Sequence, residues 1–134
     1  MTEKTSTRDN LAKVIDTIEG GYEFLLAYAA QGRHTDRGAA ADQSPRDRLE
    51  AMVQAMGDLP DLARAMADSV DGDKASDYAA FLDALDRDAA VSVATTRLVL
   101  SKNDISSQLV DNLNASIHLR ALLTDIFLID EAFK

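Results

Sequence analysis

The chain has 134 residues, which suits one domain, and its 46% hydrophobic and 28% charged residues are ordinary for a folded globular protein. It contains no cysteine, which excludes disulfides, thiol nucleophiles and cysteine-ligated metal clusters. The formal net charge of -9 opposes contact with a phosphate backbone, so nucleic acid is not an expected partner. Because we find no secretory leader pattern and no apolar run of about 18 residues, we expect a cytoplasmic protein without integral membrane association.

The first helix is predicted from Asp9 to Gln31, where apolar residues recur at three- and four-residue spacing. Residues 1–8 are polar, and we expect them to form a flexible tail ahead of one helical domain at residues 9–134. Gly20 and Gly21 lie in the middle of this helix. Such a pair predicts a kink or the close approach of another backbone.

A polar loop and a proline-containing start signal lead into the second helix. The loop at residues 32–44 contains His34 and both acidic and basic residues. It could bind an anion or simply face solvent, and the mixture of charges favours a solvent-facing loop. Ser44 and Pro45 predict a helix start, because serine caps a helix and proline suits its first turn. Pro60 predicts that the second helix is split, since proline removes a backbone donor. The arginines of this region are Arg33, Arg37, Arg46 and Arg48.

Two long helices are predicted in the remaining chain. The third spans about Asp73 to Ser101, and the short link that follows predicts antiparallel neighbours. The last helix runs from Asp104 almost to the final residue, and its second half, residues 119–133, is apolar nearly all round. We therefore predict an all-α fold, an antiparallel four-helix bundle with the second helix split near Pro60.

Metal, nucleotide and catalytic motifs are missing from the sequence. Neither His34 nor His118 has a glutamate three residues before it, as di-iron bundle sites require. The acidic turn at Asp71 departs from a calcium loop at its sixth and twelfth positions. Glycine-rich phosphate loops and nucleophile elbows do not occur. We therefore expect no metal, no cofactor and no enzymatic activity.

His118 is the most informative single residue. At about 100° per residue, it is predicted to lie on a narrow polar strip that faces solvent or a partner. The other members of the strip are Ser107, Asp111, Asn114 and Asp125. An exposed histidine on a helix of a small bundle, followed by Arg120 and Ala121, resembles the site of helical phosphotransfer domains. That resemblance implies a phosphoacceptor role for His118, and the competing interpretation is an ordinary exposed histidine.

Two segments, residues 22–30 and 119–133, carry more apolar surface than one helix face can bury. Burial within the monomer and contact with a partner or a second subunit both account for this excess. Methionines on one side of the second helix suit either a core or an adaptable binding surface. The expected partner-binding residues are Tyr22, Phe24, Tyr28, Met52, Met56, Met66, Phe127 and Phe133.

These features favour a small acidic protein, of bacterial type in its alanine, aspartate and arginine usage, that acts through protein–protein interaction. Regulator, adaptor and chaperone are the roles that fit, and the partner is another protein or a second copy of the chain. One alternative is a phosphotransfer signalling bundle that uses His118. The other is adsorption to a lipid or polymer granule through amphipathic helices.

Overall fold

The computed structural model describes residues 2–40 and 44–134, with side chains from Ser6 onwards, and every regular element in these ranges is an α-helix. This confirms the all-α prediction. In chain order the helices are α1 (Thr2–Ala29), α2 (Pro45–Ala67), α3 (Gly72–Leu100), α4 (Ser107–Asn114) and α5 (Ile117–Ala132).

The first helix starts earlier than its apolar pattern predicts. α1 begins at Thr2 rather than near Asp9, so residues 2–8 of the expected tail are helical, and Met1 lies outside the described residues. The helix continues unbroken through its glycine pair. The close approach expected there is made by a side chain, since a Cβ added to Gly21 would lie 2.5 Å from the Met52 Sδ atom.

The second helix starts where Ser44 and Pro45 predict. The Ser44 hydroxyl accepts a hydrogen bond from the Asp47 amide at 3.5 Å, and Pro45 occupies the first turn. These two residues match the usual helix start, in which the cap satisfies an amide that has no partner within the helix. The boundary is therefore set locally.

The expected split of the second helix at Pro60 is wrong, because α2 continues from Pro45 to Ala67. Proline in a helix interior costs about 3 kcal/mol relative to alanine. Leu59 and Ala63, on either side of Pro60, are both fully buried. Packing of the two halves against one core outweighs the lost hydrogen bond, and the helix stays whole.

A break occurs instead in the predicted last helix, where Ala115 and Ser116 separate α4 from α5. Ser116 has ψ 125°, which ends the helical path without glycine or proline. Ile117, which a continuous helix would place on the apolar face, is 74% exposed, whereas Leu119 is buried. The break resets the helical phase, so the apolar faces of both segments meet the core.

Helix packing leaves one loose seam. α2 packs against α1 and α3, α3 packs against α5, and α4 lies against α1 near its C-terminal end. α1 and α5 approach each other much less closely than these pairs. Near one end of the seam, Arg8 Nη1 donates a hydrogen bond to the Phe133 carbonyl at 3.1 Å.

Candidate partner-binding groove

Four of the eight expected partner-binding residues belong to the core rather than to a surface. Tyr28, Met52, Met56 and Met66 have exposed fractions of 0%, 1%, 0% and 3%. The methionine side of α2 therefore fills the interior, which is the commoner use of such a pattern.

Phe24 and its neighbours cover part of the apolar excess on α1. The Phe24 ring stacks on Tyr28 with the ring centroids 6.4 Å apart, and the Arg48 guanidinium lies 4.9 Å from the Phe24 centroid. The Tyr28 hydroxyl donates to the Ile105 carbonyl at 2.6 Å. Ring stacking and the cation–π contact satisfy this side of α1 within the monomer.

Phe133 is also covered within the monomer. Its ring lies 5.8 Å from that of Tyr78, and the Tyr78 hydroxyl donates to the Ala132 carbonyl at 2.9 Å. Phe133 is half-buried. It therefore ties the C-terminal end of α5 to α3 rather than presenting a free ring.

The two remaining expected residues, Tyr22 and Phe127, line one groove of about 410 Å³ along the seam between α1 and α5. Two large apolar side chains on its walls are substantially exposed: Leu26 by 48% and Phe127 by 57%. We call this feature the α1–α5 groove. Its lining residues are Glu19, Tyr22, Glu23, Leu26, Arg120, Leu123, Thr124 and Phe127.

Sequence reasoning missed Leu26 and Leu123 as groove residues. Leu26 follows Tyr22 by four positions, and Phe127 follows Leu123 by four, so each pair lies on one side of its own helix. This four-residue spacing is the sequence signal that could have assigned Leu26 and Leu123 to the same surface as Tyr22 and Phe127. Which helices would lie opposite each other is decided only by the fold.

The charges of the groove are unevenly distributed. Burial raises the pKa of Glu19, and the neighbouring charges of Asp130, Asp16 and Glu23 raise it further. An excess of negative charge without a compensating cation therefore surrounds Glu19. Arg120, in the first turns of α5, supplies a positive charge to the lining.

The two helices of the groove run in opposite directions. Arg8 of α1 meets Phe133 after the end of α5. Farther along α1, the Leu25 carbonyl accepts a hydrogen bond from Asn114 Nδ2 at 3.1 Å, just before α5 begins. Arg120 therefore lies toward the Leu26 end, while the acidic residues around Glu19 occupy the other end.

His118 lies outside the groove lining, and its side chain is exposed in the first turn of α5. The polar strip predicted around it is wrong in part, because Ser107 and Asn114 are buried. The break between α4 and α5 rotates the two segments relative to each other, so a single helical wheel does not apply across it. The phosphoacceptor role stays a prediction.

The arginines of the loop after α1 and of the start of α2 form internal hydrogen bonds. Asp36 accepts from the Ile105 amide at 2.9 Å and from Arg46 Nε at 3.1 Å. Arg46 also donates to the Leu100 carbonyl at 2.9 Å and to the Lys102 carbonyl at 3.1 Å. Burial opposes ionisation of Asp36, but these bonds outweigh it and lower its pKa. We call this network the polar corner.

Other members of the loop are occupied in the same way. Arg33 donates to the Thr35 carbonyl at 3.1 Å and to the Arg37 carbonyl at 2.9 Å. Arg37 lies 3.5 Å from Asp104, and His34 is exposed. The guanidinium groups hold the loop in shape, which favours a structural role over anion binding.

A pair of carboxyl groups, Asp88 and Asp125, lies between α3 and α5. Burial, followed by the hydrogen bond and the charge of Asp88, raises the pKa of Asp125 to about 7. The buried Asp125 Oδ2 atom has no hydrogen-bond partner among the described residues. The folded protein therefore favours the protonated form of the Asp125 carboxyl.

The described residues contain neither a candidate metal site nor a candidate membrane-spanning helix. No group of three or more histidine, aspartate or glutamate side chains in the described ranges is arranged to hold a metal ion. No helix in those ranges combines the length and the apolar character needed to cross a membrane.

No protein-family model, curated protein or solved structure matches this chain. The groove and the charges around it are therefore the features of this chain that bear on its function.

Proposed function

We propose that this protein acts by binding other proteins, as a regulator, adaptor or chaperone, and that its contact surface is the α1–α5 groove. The observation that carries the proposal is the exposure of Leu26 and Phe127 on the two walls of one apolar groove. Helical segments of partner proteins commonly place their apolar face in such a groove. Side chains already exposed in the free protein lose water contact only when the partner binds, which makes their burial favourable.

The arrangement of helices supports this function. In our proposal the fold is a four-helix antiparallel bundle in which α4 and α5 are two halves of the fourth helix. Along its α5 half, the fourth member lies only loosely against the first, and a partner helix would complete this part of the bundle. Aromatic and leucine side chains at such a seam are typical anchors of protein interfaces.

Position-specific crosslinking in the native host tests the proposal. A photo-crosslinking amino acid at position 127 is expected to capture a protein that the same group at position 98 does not. Leu98 is the matched control, because it is 68% exposed but lies on α3. Lipid adducts at position 127 instead of protein adducts would favour the granule or lipid alternative.

Reconstitution with the captured protein completes the test. Phe127→Ser and Leu26→Ser are expected to weaken the purified complex by about tenfold each, as loss of a central anchor does. Leu98→Ser is expected to leave the dissociation constant unchanged. Equal effects at all three positions, or none, would contradict binding in the groove.

A further inference from the structure

The acidic end of the groove has unsatisfied negative charge. Asp16 and Asp130 both act on Glu19 and raise its pKa. None of the ion pairs formed by the described residues includes any of these three carboxyl groups. A cation placed here by a partner would meet three carboxylates that form no ion pair with the described residues.

The opposite end of the groove has the reverse character. Arg120 lines it near Leu26 and also takes part in no ion pair of the described residues. Ten residues separate Asp16 from Leu26 on α1, and ten separate Arg120 from Asp130 on α5. At 1.5 Å per residue, each interval corresponds to about 15 Å, or roughly three helical turns.

We propose that the segment bound in this groove is an amphipathic helix with a basic residue at one end of its apolar face and an acidic residue at the other. The inference rests on the proposed function and adds the chemistry of the partner. The basic residue pairs with the Glu19 end, and the acidic residue pairs with Arg120. About ten or eleven positions separate them in the partner, because that interval returns to the same face after three turns.

The centre of the groove determines what lies between those charges. Tyr22, Leu123 and Phe127 give the centre an apolar surface, with Glu23 and Thr124 beside it in the lining. This surface accepts leucine, isoleucine, phenylalanine or methionine side chains at three- and four-residue spacing. Apolar burial supplies most of the affinity, while the charges fix the direction in which the partner helix lies and disfavour acidic segments.

Three synthetic peptides of about 14 residues test the inference against the full chain. All three have the same apolar face, and they differ only in the residues at its two ends: lysine and glutamate, lysine at both, or glutamate at both. The lysine–glutamate peptide is expected to bind about tenfold more tightly than the glutamate peptide. Backbone amide chemical shifts should move around Leu26 and Phe127.

Matched variants distinguish the effect of a charge in the groove on peptide binding from the effect of the net charge of the protein. Glu19→Gln is expected to weaken the lysine–glutamate peptide by about threefold, the size of an exposed charge pair. Asp77→Asn changes the net charge by the same amount on an exposed part of α3, and it is expected to have no effect. The lysine–glutamate peptide is also expected to bind more tightly than the double-lysine peptide, because only its glutamate can pair with Arg120. Arg120→Gln is expected to remove this difference.

The outcomes distinguish this inference from the proposed function. If all three peptides bind in the groove with equal affinity, the charge inference is overturned while groove binding stands. Shifts that avoid the groove for every peptide would overturn both. A peptide-free dimer in ultracentrifugation that Phe127→Ser converts to monomer would overturn the inference in favour of a second copy of the chain.

Discussion

The polar corner and the α1–α5 groove both involve α1, but its neighbours hold it in opposite ways. At the corner, buried hydrogen bonds join Tyr28 to Ile105 of the α3–α4 link and to Ser107 of α4. Asp36 of the loop after α1 also accepts a hydrogen bond from the Ile105 amide. Along the groove, Tyr22 and Leu26 face α5 across open space, because α5 packs only loosely against α1. Directional bonds make the corner specific, whereas the groove leaves apolar surface available to a partner.

Breaking the corner with Arg46→Ala is expected to cause a large loss of stability. This variant removes the charged donor shared by Asp36 and three backbone carbonyls. The free energy of unfolding should fall by about 3 kcal/mol, because a charged hydrogen-bond network is left partly unsatisfied. Urea denaturation measures it. Arg87→Ala, at an exposed position of α3, should change stability by less than about 0.5 kcal/mol, and equal losses would contradict the role of the corner.

The glycine pair of α1 should give effects of opposite sign. Gly21→Ala places a Cβ against buried Met52 and should lower the free energy of unfolding by about 1–2 kcal/mol. At Gly20, no atom outside the local helix lies within 4 Å of an added Cβ, so Gly20→Ala should raise stability by about 0.5–1 kcal/mol. Thermal unfolding of the two variants compares the packed and open sides of α1. Two shifts of the same sign would contradict the assignment.

The attachment of α5 to α3 should depend on pH through Asp125. Its folded pKa of about 7 lies above the ordinary aspartate value of 3.8, so the folded state favours the protonated form. The contribution of Asp125 to the free energy of unfolding is therefore fully present at low pH, and it declines as the pH rises from about 4 to 7. Asp125→Asn should raise the free energy of unfolding at pH 8 by about 1 kcal/mol, less than the full pKa difference implies because water screens a half-exposed carboxyl.

Thermal unfolding at pH 5 and pH 8 checks this prediction. The midpoint difference between the two pH values should shrink in Asp125→Asn relative to wild type. Asp77→Asn, at an exposed position, should retain the wild-type difference. An unchanged difference in Asp125→Asn would show that the carboxyl pair does not affect folding.

The smallest effect on stability is expected in the groove. Leu26→Ala should lower the free energy of unfolding by only about 0.5 kcal/mol, because Leu26 is already 48% exposed. Leu25→Ala, one position away, should cost about 2–5 kcal/mol, because Leu25 is fully buried. Chemical denaturation gives both values. Similar losses at the two positions would mean that the groove contributes to the folded core.

Local signals in the sequence account for the parts of the fold that were predicted well. The start of α2 follows from a serine cap and a proline in the first turn. The predicted bounds of the third helix, Asp73 to Ser101, differ from those of α3 by one residue at each end. The start of α2 and the bounds of α3 depend on interactions between residues that are close in the chain. Residue type and spacing therefore predict them.

Errors arose where distant packing opposed a local preference. Pro60 predicted a split, but buried neighbours on both sides keep α2 continuous. The break at Ser116 has no proline or glycine signal, because it follows from the need to turn two apolar faces toward one core. For the same reason, some of the expected partner-binding residues are buried and others are exposed, because burial depends on which helix packs against them.

By itself, the sequence determined an all-α chain, most of its helix boundaries and an apolar excess in residues 22–30 and 119–133. Those features depend on backbone preference and on periodicity, which act over a few residues. The tertiary structure alone decided that most of the excess is buried and that Leu26 and Phe127 line an open groove with opposite charges at its ends. Only folding brings α1 beside α5, because residues about a hundred positions apart share no local signal.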